Sequence, residues 1–165
     1  MHSAKRLKRV EYCQDNEISW FDWTLVNKHP QLLRFFRSMI RFRKMHAAVR
    51  RDQFFNGSVN ERGLKDVLWH GKKLNCPGWD DTGALALAMT LAGFDGDSDL
   101  HVMFNMFWES LDFELRVVPG RHWCLAVDTA QCSPRDIADP GSEPDVLGNT
   151  LRVEARSVVV LLNRA

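Results

Sequence analysis

The segment Ser157-Val158-Val159-Val160-Leu161-Leu162, close to the C-terminus, decides the fold class. Val158 to Leu162 is continuously apolar, so the run reads as a strand buried on both faces or covered by another element. Working back from it, six further short runs are separated by Gly, Pro, Asp and Asn: 66–70, 84–92, 100–107, 112–117, 123–129 and 151–155. Within the second of these, Ala84 to Ala92, small and large side chains alternate, as in a strand with two unequal faces. Short strands at this spacing, without intervening helices, predict a sandwich or barrel. Pro134 to Gly148, with three prolines and several acidic residues, reads as a loop.

The region before Arg51 has a different period. Asn27-Lys28-His29-Pro30 is a helix start, with Pro30 suited to the first turn, and no Gly or Pro interrupts residues 31–49. Leu32, Phe36, Met39, Ile40 and Arg43 follow three-and-four spacing, and so do Arg34, Arg37, Arg41 and Lys44. The two sets lie on different sides of a 3.6-residue helix, an aromatic-aliphatic stripe beside a basic one. Phe35 and Phe42 add apolar area, so more than one face calls for cover. The expectation is that helix 31–49 packs on its own sandwich or mediates homo-oligomerisation, most simply as a two-fold dimer.

Composition agrees with one folded domain plus an appendage. The chain has 165 residues, 45% hydrophobic and 26% charged, which excludes global disorder. No apolar run approaches the ~20 residues that span a bilayer, and the basic stretch 1–9 is not followed by a signal-peptide core. The reading is a cytoplasmic protein without membrane association. Net charge is +1, but residues 1–51 hold 12 Lys and Arg against 4 Asp and Glu, while 52–165 hold 10 against 17. That asymmetry divides the chain into two regions, 1–51 and 52–165. Cys13, Cys76, Cys124 and Cys132 form no CxxC pair and read as reduced thiols.

Motifs for chemistry are sparse. There is no phosphate loop, nucleophile elbow or zinc-binding HExxH helix. Asp95-Gly96-Asp97-Ser98-Asp99 opens like a calcium loop, but Leu100 stands at the turn-glycine position and Met106 at the bidentate-Glu position, so a polar turn is the better reading. His122, Cys124 and Cys132 offer zinc-type donors, yet three scattered residues are weak grounds, and no metal or other cofactor is expected. Glu109, Asp112 and Glu114 surround one hairpin, but nothing in their spacing sets two carboxyl groups across a sugar. The arginines of the helix alternate with core-type aromatics, which argues against a nucleic-acid surface. Of the tryptophans, Trp108 and Trp123 are expected in the core; Trp69 and Trp79, flanked by polar loop residues, are the candidates for stacking on a glucan.

Longer words of the sequence carry more. Tyr12-Cys13-Gln14-Asp15-Asn16-Glu17-Ile18-Ser19-Trp20-Phe21-Asp22-Trp23 closely resembles a segment of bacterial glycogen debranching enzymes of the isoamylase type, in the α-amylase superfamily. The resemblance continues through Leu33-Arg34-Phe35, Arg50-Arg51, Asp66-Val67-Leu68-Trp69-His70-Gly71, Val102-Met103-Phe104-Asn105, Trp108-Glu109, Val127-Asp128-Thr129-Ala130 and Ala155-Arg156-Ser157-Val158 to Leu162. It covers residues 11–163 in order, whereas residues 1–10 depart from the family pattern. It implies a C-terminal antiparallel β-sandwich (52–165) preceded by a remnant of a barrel end, a loop plus the last barrel helix (1–51). The family hydrolyses α-1,6 bonds of glycogen. Its catalytic Asp, Glu and Asp lie on upstream barrel strands, so the resemblance gives no residue here a catalytic role and implies that this chain alone is inactive. A stand-alone accessory or carbohydrate-binding β-sandwich module is the alternative.

Overall fold

The computed structural model describes Asp15 and residues 20–165. Residues 1–10, Cys13 and most of the 12–23 segment therefore lie outside the described residues. In chain order, α1 (Leu25–Lys28) and α2 (Pro30–Met45) are followed by a 3₁₀ turn (Ala47–Val49). Eight strands come next: β1 (Val67–His70), β2 (Ala86–Leu91), β3 (Leu100–Asn105), β4 (Leu111–Glu114), β5 (His122–Asp128), β6 (Asp145–Val146), β7 (Thr150–Val153) and β8 (Ser157–Arg164). Pro30 sits in the first turn of α2, where its missing N–H has no intrahelical partner to lose.

All pairings are antiparallel: a six-stranded sheet ordered β1-β2-β3-β8-β5-β6 faces a two-stranded sheet, β4-β7. β8 lies between β3 and β5, and its alternation explains the apolar run. Val158, Val160 and Leu162 point toward α2, into a cluster with Leu100, Val102, Ala126 and Val127. Val159 and Leu161 point the other way, against Phe113 and Val153 of the two-stranded sheet. Both faces of this strand are dry, so neither could carry polar residues. The small members of β2, Ala86 and Ala88, face the two-stranded sheet, and the large Met89 and Leu91 face the helix.

The strand expectations agree with the structure within a residue or three at each end. Three details differ. The loop 134–148 contains the short strand β6, and Leu125 N–H donates to Pro144 O at 2.8 Å. Helix α2 packs on the sheet through Phe35, Met39 and Phe42, so that of the expected stripe only Met39 turns inward and Leu32, Phe36 and Ile40 do not. Leu32, Phe36 and Ile40 are more than half exposed (53%, 58% and 56%). Finally, Trp108 is exposed, because it falls in the turn after β3, whereas Trp123 is buried with its Nε1–H donating to Arg116 O at 2.7 Å.

A polar clasp fixes the β2–β3 turn. Asp99, fully buried, accepts from Arg62 Nε (2.7 Å), Asn60 Nδ2 (2.8 Å) and the Gly93 N–H (2.9 Å), so its charge is paired on several sides. Gly93 is required there: a Cβ would lie 2.4 Å from the Asp97 carbonyl oxygen. Asp97 Oδ1 meets His46 Nδ1 at 3.0 Å, tying the end of α2 to the same turn. Within the Asp95–Asp99 string, the Asp97 and Asp99 carboxylates are thus engaged by His46, Asn60 and Arg62.

Candidate functional site

Trp69 and Trp79 come together. Trp69 lies on β1, an edge strand, and Trp79 is brought to it by the 78–84 turns, in which Asp81 N–H donates to Gly78 O and Ala84 N–H to Asp81 O, both at 3.0 Å. The indoles meet edge to face, with ring centroids 5.6 Å apart, and stay 40% and 64% exposed. An exposed indole face offers what the apolar side of a sugar ring stacks on. Behind the Trp79 loop is a cleft of about 270 Å³ bounded by Gly71, Lys72, Asp81, Ala86 and Phe107. Neither tryptophan lines it, and Asp81 is its single carboxylate. Acid–base hydrolysis of a glycoside needs two facing carboxyl groups, so this cleft has no hydrolytic pair. Of the hairpin acids, Glu114 accepts from the Leu74 N–H (3.0 Å) and holds the loop after β1; Glu109 and Asp112 are exposed.

A second constellation, not foreseen from the sequence, is buried between the sheets. Asn75 N–H donates to His70 Nδ1 (2.8 Å), so the proton of that neutral imidazole is on Nε2, which donates to Thr90 Oγ1 (3.0 Å). The Thr90 hydroxyl then donates to His101 Nδ1 (2.9 Å), and the remaining His101 Nε2 is buried without a partner. Desolvation, together with the neighbouring His70, pushes His101 down to about 3; burial, aided by Arg116, lowers His70. Both rings are neutral near pH 7. Thr90 and His101 are directly opposite each other on β2 and β3, a relation that appears only once the register is known.

The third is at the β5–β6 edge. His122 and Cys124 share a face of β5, and Asp145 of β6 stands directly opposite Cys124. His122 Nε2 lies 3.1 Å from Asp145 Oδ1, and Cys124 Sγ–H donates to the same oxygen at 3.5 Å. Burial, reinforced by Asp145, pushes the Cys124 thiol up. The third donor beside His122 and Cys124 is therefore Asp145 and not Cys132, which is exposed.

Comparison with known proteins fits this architecture. Residues 68–159 match the family model "Isoamylase 1-3, C-terminal". A glycogen operon protein GlgX homolog of Mycobacterium tuberculosis is 31% identical over 170 residues, covering 91% of this chain and 22% of that protein. Isoamylase 3, chloroplastic, of Oryza sativa subsp. japonica is 31% identical over 132 residues, 79% of this chain and 15% of that protein. An isoamylase of Flavobacterium sp is 28% identical over 163 residues, 92% and 21% respectively. The chain thus spans about a fifth of the length of these relatives. Among solved structures, a GH30 endoxylanase from Clostridium papyrosolvens C71 aligns at TM-score 0.36 and 16% identity, over 51% of this chain and 21% of that one.

Proposed function

Because this chain belongs to the isoamylase C-terminal domain family, we propose that it acts as the β-rich C-terminal domain of an enzyme hydrolysing α-1,6 branch points in glycogen or a related α-glucan. In this reading 52–165 is the sandwich, 1–51 belongs with a barrel that carries the catalytic groups, and the location is cytoplasmic. No helix among the described residues is long and apolar enough to cross a membrane.

The observation that carries the reading is the second apolar face of α2. Phe35, Met39 and Phe42 pack on the sandwich, while Leu32, Phe36 and Ile40 form a separate exposed row one helical step away. Full burial of one Phe or Leu side chain contributes roughly 1.5–3 kcal/mol, so an exposed row of three favours a covering partner. A helix lying between a sandwich and a barrel needs two such faces.

The test is reconstitution. The chain is mixed with the barrel portion of a related isoamylase, prepared without its own C-terminal domain, and reducing ends released from a branched glucan are measured. Debranching that the barrel portion alone lacks, restored by wild type but not by Phe36→Asp, is the expected result. Turnover by the chain alone, or equal restoration by Phe36→Asp, overturns the reading; light scattering that shows a dimer broken by Phe36→Asp assigns the row to a second copy instead.

The paired, exposed indoles favour one addition, weak α-glucan contact through Trp69 and Trp79. Titration of a maltooligosaccharide followed by Trp fluorescence should lose its response in Trp79→Ala. An unchanged titration removes Trp79 from the contact.

A further inference from the structure

We propose that His122, Cys124 and Asp145 form a zinc(II) site that pins β6 to β5. This is independent of the family reading, since it rests on donor geometry alone. The three donor atoms lie within 4.8 Å of one another, two of them on one strand face and the third directly across the ladder.

Two of the three donor–donor edges suit a small tetrahedral ion. Zinc holds imidazole nitrogen and carboxylate oxygen at about 2.0–2.1 Å and thiolate sulfur at about 2.3 Å, which sets edges of roughly 3.3–3.6 Å. The His122–Asp145 edge is 3.1 Å and the Cys124–Asp145 edge 3.5 Å, while His122 and Cys124 lie within 4.8 Å of each other, an edge that the exposed His122 side chain closes by turning onto the ion. A thiolate, an imidazole and one carboxylate make a borderline-soft set, which calcium and magnesium do not select. Three protein donors leave a fourth position for water.

Charge points the same way. Glu143 sits beside the trio, held by Arg164 Nη2 at 2.8 Å, and both residues act electrostatically on Cys124. Asp145 and Glu143 carry two negative charges against the single positive charge of Arg164, a net negative surround for a cation. On binding, the S–H bond breaks, a Zn–S bond forms and the proton leaves to solvent; no oxidant or reductant takes part. The structural consequence is local. β6 is only two residues long and closes the edge of the six-stranded sheet, so a metal bridge would anchor the whole 134–148 segment.

The test uses the full chain, reduced and stripped with a chelator. Titration with Co²⁺ should give one equivalent of uptake with a thiolate-to-metal charge-transfer band and tetrahedral d–d bands, both displaced by Zn²⁺. His122→Ala and Asp145→Asn should each weaken uptake tenfold or more. These two side chains are 46% and 64% exposed, so the variants keep the fold. Cys124→Ser should remove the charge-transfer band, and Cys132→Ser should leave it. Zn²⁺ should raise Tm of the wild type and not of His122→Ala. The proposal fails if no saturable uptake occurs, if His122→Ala binds as tightly as wild type, or if the thiolate band survives Cys124→Ser.

Discussion

The two faces of the six-stranded sheet are closed in different ways. Toward β4-β7, the cover is part of the sandwich itself: Phe113, Val153 and Leu161 are wholly buried, and even the polar His70, Thr90 and His101 are sealed in with them. Toward α2, the sheet side is just as dry, yet no residue of the helix is buried, and its contacts Phe35, Met39 and Phe42 remain partly exposed. One face is complete within this chain. The other is covered by one side of a helix whose remaining apolar row, Leu32, Phe36 and Ile40, is exposed.

That contrast ranks the effects of substitution. Phe113→Ala removes the largest fully buried side chain at the completed face and should cost about 3–5 kcal/mol of unfolding free energy, read by urea denaturation. A loss below about 1 kcal/mol would mean that the two-stranded sheet contributes little to the fold.

The pH dependence of stability probes the same face. His70 and His101 are held neutral in the fold, with lowered affinity for protons, while their unfolded forms titrate near 6.5. Below that value the unfolded state binds more protons, so stability falls on acidification, for His101 over the window from 6.5 to about 3. Each such histidine contributes a slope of up to about 1.4 kcal/mol per pH unit. His101→Asn keeps an acceptor for the Thr90 hydroxyl without titrating, so it should flatten the slope between about pH 6 and 5. An unchanged slope would place the acid sensitivity elsewhere, the buried carboxylates being the next candidates. Asp66 is one: burial opposes its ionisation, but N–H donors from Asn56, Val67 and Gly57, with Arg51, outweigh it and hold its titration below the usual range.

How much of this was legible depended on how far each feature reaches along the chain. The run 158–162 needed only itself: five apolar residues in a row fit a strand with no wet face. The existence and start of α2 were equally local, but its end was not, since the helix stops at Met45, where His46 turns extended, and 47–49 form a 3₁₀ turn instead of its last residues; nor was its orientation. Apolar residues at 32, 35, 36, 39, 40 and 42 cover nearly half the helix circumference, and which part turns inward depends on the sheet below. Trp108 shows the same limit, since a large aromatic reads as core until the turn that carries it outward is known. β6 is too short for any period to register. Of the sites, the Trp69–Trp79 pair could be suspected from polar flanks, whereas Asp145 beside Cys124 and Thr90 between two histidines exist only through strand register.

At the half-covered face the effects are smaller. Phe42→Ala takes away a partly exposed side chain from the helix–sheet cluster, so its cost should be about 1–2 kcal/mol, below that of Phe113→Ala because less area leaves water. Near equality of the two would show that α2 is as integral as the second sheet.

Phe36→Ser should have the smallest effect on stability, within about ±0.5 kcal/mol, because a 58% exposed ring contributes little to the chain's own core. Its consequence should lie in association instead. Ile40 and Leu32 stand one turn away on either side of Phe36, so a single hydroxyl in the middle divides the apolar row in two. Reduced non-specific aggregation at high protein concentration, with no discrete dimer in the wild type, measured by light scattering at unchanged Tm, is the expected pair of results. If Tm falls as far as in Phe42→Ala, the row already packs within the chain and the helix has one working face rather than two. The comparison between the faces would then lose its premise. If Tm holds and association falls, the sandwich is self-sufficient and the row on α2 is surface reserved for a partner.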